Sequence, residues 1–322
     1  MNEKETLELD IESLKIAALR PENVGRVHEM CEKSADHLSH SLQAFQNTTI
    51  ESELFEEELS LVASTKEGEV VAFFLMVLRE PYVFKRWRRV AVLKFFVVKK
   101  KWRQKGLGTR MLNSLLEKIR ISEDHCFKMK CEVMSSMPDY WCPGLDPRHT
   151  EAFFFLKKHG FKKKGERINL CVDLTQLPEN KPPSQHQGVT FSRAEPSDEE
   201  ELVPMRFMQR RYQLSFWPQE VALSFDDDPI TSFVAKEPEG QILGWASHSA
   251  HFPGSFGPTG VSKKAQGKGI GSILLHWCLW DLKQAGLETA RIMWVGENTA
   301  YFYLKSIGAH ICEFFWVMNT RI

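Results

Sequence analysis

This chain lacks net charge, a long apolar run and any paired set of cysteines, and each absence removes a class of function. Lys plus Arg total 42 and Asp plus Glu total 42, so the formal net charge at neutral pH is zero. That balance leaves no overall electrostatic footprint for nucleic acid or a lipid surface, and neither partner is expected. No stretch approaches the ~18–20 apolar residues that a membrane-spanning helix needs. The most apolar one, Val90–Val98, has the length of a strand and carries Lys94. The first ten residues are acidic and have no apolar centre, so they are not expected to act as a secretory leader. Cysteines stand at positions 31, 126, 131, 142, 171, 278 and 312, odd in number and without the close pairing of a metal site. Free thiols in a reducing cytosol, and no bound metal, are the expectation.

What is present is a motif that occurs twice. Val90–Val98 is a β-branched and aromatic run of strand type. It is followed by Lys99-Lys100-Lys101-Trp102-Arg103-Gln104-Lys105, then Gly106-Leu107-Gly108-Thr109. Beyond these, Met111, Leu112, Leu115, Leu116 and Ile119 recur at helical spacing. The second copy runs from strand-like Ser255–Val261 through Ser262-Lys263-Lys264-Ala265-Gln266-Gly267-Lys268 to Gly269-Ile270-Gly271-Ser272. Its helix carries Ile270, Leu274, Leu275, Cys278 and Leu282 on one face. Both loops fit Arg/Gln-x-x-Gly-x-Gly, and their first positions lie 163 residues apart, about one domain length. At ordinary glycine usage, two chance matches at strand-to-helix junctions have odds of roughly 0.01 or less. Internal duplication is the economical reading.

A strand that breaks into such a loop and then a helix aims several unpaired N–H groups at one point, with the positive end of the helix dipole behind them. The arrangement suits an anion such as a pyrophosphate. The frames Val98-x4-Arg103-x-x-Gly106-x-Gly108 and Val261-x4-Gln266-x-x-Gly269-x-Gly271 resemble the acetyl-CoA-binding signature of the GCN5-related N-acetyltransferases (GNATs). The resemblance implies two tandem α/β (α+β) domains, each a mixed, mostly antiparallel sheet with flanking helices. It also implies acetyl-CoA as cofactor and a small-molecule or peptide amine as acceptor, and it says nothing of which amine.

The chain read in order agrees with a duplication. Strands are expected at 14–19, 59–64, 69–78, Val90–Val98 and 127–134, and helices at 20–32 and 50–59. A helix over 149–159 is stopped by Gly160, and a strand over 162–174 follows. The proline-rich segment 177–188 reads as a linker, dividing an N-terminal domain of residues 1–176 from a C-terminal one of residues 189–322. The pattern then restarts, with strands expected at Val189–Arg193, Ser232–Lys236, 241–249, Thr289–Val295 and 311–318, and helices after 195 and over 298–307.

Acetyl transfer to an amine needs the cofactor held, the carbonyl polarised, the amine deprotonated and the thiolate protonated. The loop amides of residues 104–109 and 267–272 are expected to hold the pyrophosphate. Lys99, Lys100, Lys101 and Lys105, or Lys263, Lys264 and Lys268, would meet the ribose phosphate. An N–H at Val98 or Val261 would polarise the carbonyl. The resembled family places a tyrosine four residues before a Gly-Phe pair. Here Leu156 stands there in the first half, so the first half is expected to hold cofactor without turnover. In the second half Tyr303 precedes Gly308 by five residues; a one-residue difference in the turn would restore the match, with Tyr301 as the substitute. An amine of pKa ~10.4 is only about one part in a thousand to ten thousand neutral at pH 7, so a base is required. Its candidates are His248, His251 and Glu297, while Asn298 reads equally as a helix cap. Tyr140, Trp141 and Cys142 either line an acceptor cleft or pack a domain interface. Two rival readings stand beside the enzyme. One is a non-catalytic acyl-CoA sensor or partner-binding pseudoenzyme. The other is nucleic-acid binding through residues 85–105, which mix basic and aromatic side chains.

Overall fold

In the first half of the chain, β1 (Lys15–Ala17) leads through α1 (Val24–Ser34) and α2 (Leu42–Asn47) to the strands β2 (Ser60–Ser64), β3 (Val70–Arg79) and β4 (Val90–Val98). These come from a computed structural model that describes residues 10–34, 41–79, 89–122, 129–136, 140, 142–213 and 215–322. After β4 come α3 (Leu107–Ser122), β5 (Lys130–Val133), α4 (Thr150–Lys158) and β6 (Lys162–Asp173). The second half repeats the order, beginning with β7 (Gln185–His186) and β8 (Val189–Arg193), then the short helices α5 (Glu199–Leu202), α6 (Arg210–Gln213) and α7 (Trp217–Leu223). Next come β9 (Ser232–Lys236), β10 (Ile242–His248), β11 (Ser255–Val261), α8 (Ile270–Gln284), β12 (Thr289–Val295), α9 (Glu297–Ile307) and β13 (His310–Arg321).

Each half builds an antiparallel meander whose last strand turns parallel to the next one: β4 lies parallel to β5, and β11 to β12. Every residue of β3 is buried, which fits a central strand covered on both faces and explains its unbroken apolar run. The motif helices cover the sheet with the faces their periodicity marks. Met111, Leu112, Leu115, Leu116 and Ile119 of α3 are all buried, as are Leu274, Leu275, Cys278 and Leu282 of α8.

The two halves are joined by exchanging strands. The sheet runs β1-β2-β3-β4-β5-β13-β6-β12-β11-β10-β9-β8-β7. The final strand of the chain, β13, therefore pairs with β5 of the first half, while β6 of the first half pairs with β12 of the second. β13 and β6 pair with each other along most of their length, antiparallel. A loop of the first half is stitched to β13 as well, with Leu145 and Trp316 exchanging backbone bonds of 3.0 and 2.8 Å. Gly144 permits that approach, since a Cβ there would sit 2.6 Å from the Trp316 carbonyl oxygen.

Three expectations are corrected. The region 50–59 is not an α-helix and holds only a 3-10 turn, Glu57–Leu59; the α-helix lies earlier, at α2, capped by Ser41 accepting from the Ala44 amide. It ends where the Thr48 and Thr49 hydroxyls bond back to the Ala44 and Phe45 carbonyls. The cysteines are not all free. Cys171 and Cys312 are joined across β6 and β13, a meeting that only the strand exchange brings about. Cys31, Cys131, Cys142 and Cys278 are free and buried, and burial raises the Cys131 thiol to about 12. The segment 177–188 is no simple linker, because it ends in β7 and closes the sheet edge against β8. Among the described residues no helix is long and apolar enough to cross a membrane. The basic cluster Lys85-Arg86-Trp87-Arg88 and the loop residue Trp141 lie outside the described residues.

Candidate active site

The two motif loops share one backbone. Gln104 and Gly106 have φ of 60° and 91°, and the matching Gly267 and Gly269 have 79° and 76°. Left-handed backbone at both places turns successive amides to one side, and glycine is the residue that adopts it without cost. The last glycine of each frame serves packing instead. A Cβ on Gly108 would lie 3.3 Å from Phe155, and one on Gly271 would lie 3.4 Å from Val261 and 3.9 Å from Phe302. The first position of each frame closes the loop on its own strand, with Arg103 Nε donating to the Val98 carbonyl at 2.8 Å and Gln266 Nε2 to the Val261 carbonyl at 3.3 Å.

These turns leave rows of amides open. Among the described residues no carbonyl accepts from the backbone N–H groups of Gln104, Lys105, Gly106, Leu107, Gly108 and Thr109, nor from those of Gly267, Lys268, Gly269, Ile270 and Gly271. The Ser272 amide drops out of the expected set, since it donates to the Gly269 carbonyl at 3.1 Å. Orphan donors at the N-terminus of a long helix are what a pyrophosphate requires, so the residues present fit the phosphates of a CoA thioester. The loop lysines divide. Lys99 and Lys101 pair with Glu69 at 3.0 and 2.9 Å, and Lys264 with Glu237 at 3.3 Å. Lys105 and Lys268 are exposed and point charges near their loops.

The grooves beside the loops differ. In the first half, Arg103 reaches across to Glu151 in the first turn of α4 at 2.7 Å and to the Ser34 carbonyl at 3.0 Å. Thr109 Oγ1 meets His159 Nε2 at 3.1 Å. Arg110 binds the Ile11 carbonyl at 3.0 Å and Glu12 at 3.3 Å, bringing the start of the chain against the loop. Phe155 stacks with Phe96 over Gly108. In the second half no polar bridge between described residues joins the loop or α8 to α9. A cavity of about 360 Å³ opens beside this loop instead, lined by His186, Val189, Glu237, Leu243, Lys268 and Ile270 among others.

A gap lies next to the second loop. β11 and β12 pair only at Ser255 with Arg291 and Phe256 with Ile292, although β11 continues to Val261 and β12 to Val295. The strands have parted there. The Ser262 amide donates to the Leu243 carbonyl at 2.7 Å, and ladder alternation turns the preceding amide, Val261, to the other side, toward the gap. The first half repeats this: the Lys99 amide donates to Val71 at 2.9 Å, so the Val98 amide faces the side of β5. Past the last paired residues, Met134 and Trp294 hold φ of 65° and 52°, leading their strands away. A bulge on β4 holds Lys94, fully buried, opposite β3.

The three catalytic candidates occupy different surroundings, and no hydrogen bond or ion pair joins any two of them. Tyr303 is buried, with its ring 6.0 Å from Phe256 and 5.1 Å from Phe302. Burial, with the neighbouring Cys278, raises its phenol above the ordinary value. The packing also fixes its register. Phe155 and Phe302 both face the last glycine of their loops, which puts Tyr303 at the helix position of Leu156. His159 lies between the end of α4 and Gly160, whereas α9 runs directly into Gly308. Tyr301 is 68% exposed. Glu297 is exposed at the start of α9, where its charge favours the helix dipole. His251 is enclosed, its Nε2 lying 3.1 Å from Glu220 Oε1. His248 is committed elsewhere, to Asp281 at 3.0 Å and Ser249 at 3.0 Å. Burial opposes it, but bonds from His248 and Arg193 hold the Asp281 carboxyl below the usual range. Tyr140 is buried 4.6 Å from His251 and 5.1 Å from Trp294, ring to ring, so this first-half residue packs against the second half. Glu220 went unread in the sequence; its only signal is an acidic residue ahead of the apolar run Val221-Ala222-Leu223.

The profile of the acetyltransferase (GNAT) family matches residues 26–137 and again residues 194–309. The chain belongs to that family. The fold is similar to a GCN5-related glucosamine N-acetyltransferase region of a fungal multi-domain GH3 β-N-acetylglucosaminidase, with TM-score 0.73, 18% identity and 95% of this chain covered. This chain spans only 38% of that protein's length. A tandem GNAT protein of the clavulanic acid biosynthesis pathway gives TM-score 0.66 at 16% identity, covering 96% of this chain and 98% of its own. N-myristoyltransferase of Saccharomyces cerevisiae with bound myristoyl-CoA gives TM-score 0.60 at 12% identity, covering 96% and 83%. A sequence search of curated proteins gives no match. The tandem GNAT architecture is thereby established, in a family of acyltransferases that use acyl-CoA and amine acceptors.

Proposed function

We propose that the protein is an acetyl-CoA-dependent N-acetyltransferase whose chemistry belongs to the second half, residues 189–322, with residues 1–176 as a closed, non-catalytic companion. The observation that carries this is the row of open amides from Gly267 to Gly271, set beside a parted pair of strands and an unbridged groove. The bound thioester supplies an activated acyl carbon. The loop amides and Lys268 hold its phosphates, and the Val261 N–H donates to the carbonyl oxygen, where negative charge develops during attack. Tyr303 stands on the helix beside the parting strands and keeps its proton until a thiolate is there to take it. A neutral primary amine attacks directly, with its proton accepted by a base of the second half. The buried free thiols favour a cytoplasmic protein, and the Cys171–Cys312 pair counts against it.

The test is acetyl-CoA with a panel of primary amines, amino sugars, polyamines and peptide amines among them, followed by release of free thiol. Amine-dependent release is expected. Tight binding of acetyl-CoA with no release against any amine would instead favour the sensor reading.

A further inference from the structure

His251, Glu220 and Tyr140 meet where the two halves join, each from a different part of the chain. His251 lies in the loop between β10 and β11, and its amide donates to Ser255 Oγ at 3.3 Å, tying it to the start of β11. Glu220 comes from α7 and is 3% exposed. Tyr140 comes from the first half, in the loop after β5. Its ring touches His251 on one side and Trp294 on the other, and Trp294 is two residues past the last pairing of β12 with β11. The imidazole is thus linked through the Tyr140 ring to Trp294, which follows the last paired residues of β12.

The bonding decides what this imidazole can do. A carboxylate only accepts, so Nε2 beside Glu220 carries the hydrogen. The neutral ring then keeps its lone pair on Nδ1, and Nδ1 is buried without a hydrogen-bond partner. A buried acceptor with nothing donating to it is costly, of order 1–3 kcal/mol, and a ligand bearing an N–H removes that cost. Burial raises the Glu220 carboxyl and His251 opposes the rise. Among the described residues, the other charged or titratable groups around the cluster include the Tyr140 phenol, the Cys142 thiol that acts on it, Arg167 of β6 over the Trp294 ring and Arg291 of β12 over Phe252.

We propose that His251 and Glu220 form the proton-accepting dyad for the acceptor amine, and that Tyr140 of the first half completes this acceptor site as a positioning residue. The inference rests on the second half being the acetyltransferase. In the step, the amine nitrogen bonds to the acyl carbon and the carbon–sulfur bond breaks. The amine proton passes to Nδ1 of His251, and the sulfur leaves as thiolate to take a proton from Tyr303. Glu220 holds the tautomer and offsets the positive charge that forms on the ring. The first half is therefore part of the acceptor site although its own groove is closed.

The test uses the full chain with acetyl-CoA and the best acceptor of the amine panel. His251→Gln should lower kcat/KM at pH 7 by ~10²-fold. Its rate should keep climbing with pH, as the free amine deprotonates by itself, in place of the wild-type plateau. Glu220→Gln should lose ~10-fold or more while keeping its shape. Tyr140→Ala should raise KM for the amine and leave acetyl-CoA affinity unchanged. That unchanged affinity is also the folding check on every variant, and Glu220→Gln carries the test alone if His251→Gln does not fold. A His251→Gln or Glu220→Gln enzyme with wild-type kcat/KM and pH profile overturns the dyad. A wild type that binds acetyl-CoA and acetylates no amine overturns the parent reading and the dyad with it.

Discussion

The two glycine loops have nearly one sequence and one backbone, and they differ in what surrounds them. Both frames tie their first residue to the strand, both use left-handed backbone at matching positions, and both leave amides open. Yet Arg103 spans the first groove to Glu151, and Ile11 lies against Gly106, where the second half has His186 near Gly269 and an open cavity. A motif therefore specifies the cradle and leaves its accessibility to the neighbours. An arginine at the first position is long enough to cross the groove as well as close the loop; glutamine at the same place only closes the loop.

The largest effect should come from undoing the strand exchange that joins the halves. Produced alone, residues 1–176 lack β13 and residues 189–322 lack β6, so each would expose both a sheet edge and an apolar face. Neither should fold by circular dichroism, and co-production should restore the complex. A folded, monomeric fragment 189–322 would show that the exchange is incidental.

The loops themselves separate next. Gly269→Val puts a branched side chain at φ 76° in the open cradle, and acetyl transfer should fall by more than ~10²-fold, in the range that loss of charge-stabilising donors gives. Gly106→Val strains the first loop by ~1–3 kcal/mol and should leave most of the rate. A collapse of rate in the Gly106→Val protein, with its fold intact, would place the chemistry in the other half.

Tyr303→Phe sharpens the comparison at the position where the first half has Leu156. The ring and its packing against Phe256 stay, so stability should hold. The loss should appear in kcat, ~10²-fold if proton donation limits the rate, with acetyl-CoA affinity unchanged. Wild-type kcat between pH 6 and 9 would make the residue a packed aromatic only. The smallest effect is expected from Arg103→Ala, which removes the bridge to Glu151 and the bond to Ser34. Stability should drop by ~1–3 kcal/mol, measured by denaturant midpoint, with kcat preserved.

Much of the fold was legible in the residues. β4, β8, β9, β11 and β12 match their sequence bounds. β4 and β9 do so as β-branched and aromatic runs that end at a lysine, while β11, with Gly257, Pro258 and Gly260 inside it, is placed by the loop motif that follows it. The exchange of β6 and β13 was not legible, because pairing partners far apart in sequence leave no local signal. The Cys171–Cys312 pair followed it out of sight. Residues 50–59 misled because Ile50, Leu54 and Leu59 mimic a helical face, while Thr48 and Thr49 divert the backbone bonds first. In the site, the loops were readable from glycine spacing alone. Glu220 was not, since its partner His251 lies on another element and the two meet only through packing.

The most direct measurement is the stoichiometry of acetyl-CoA binding to the full chain by titration calorimetry, in wild type and in the two glycine variants. One equivalent is predicted for wild type and for Gly106→Val, and none for Gly269→Val. Two equivalents in wild type, or loss of binding in Gly106→Val with retention in Gly269→Val, would contradict a closed first groove and a working second one.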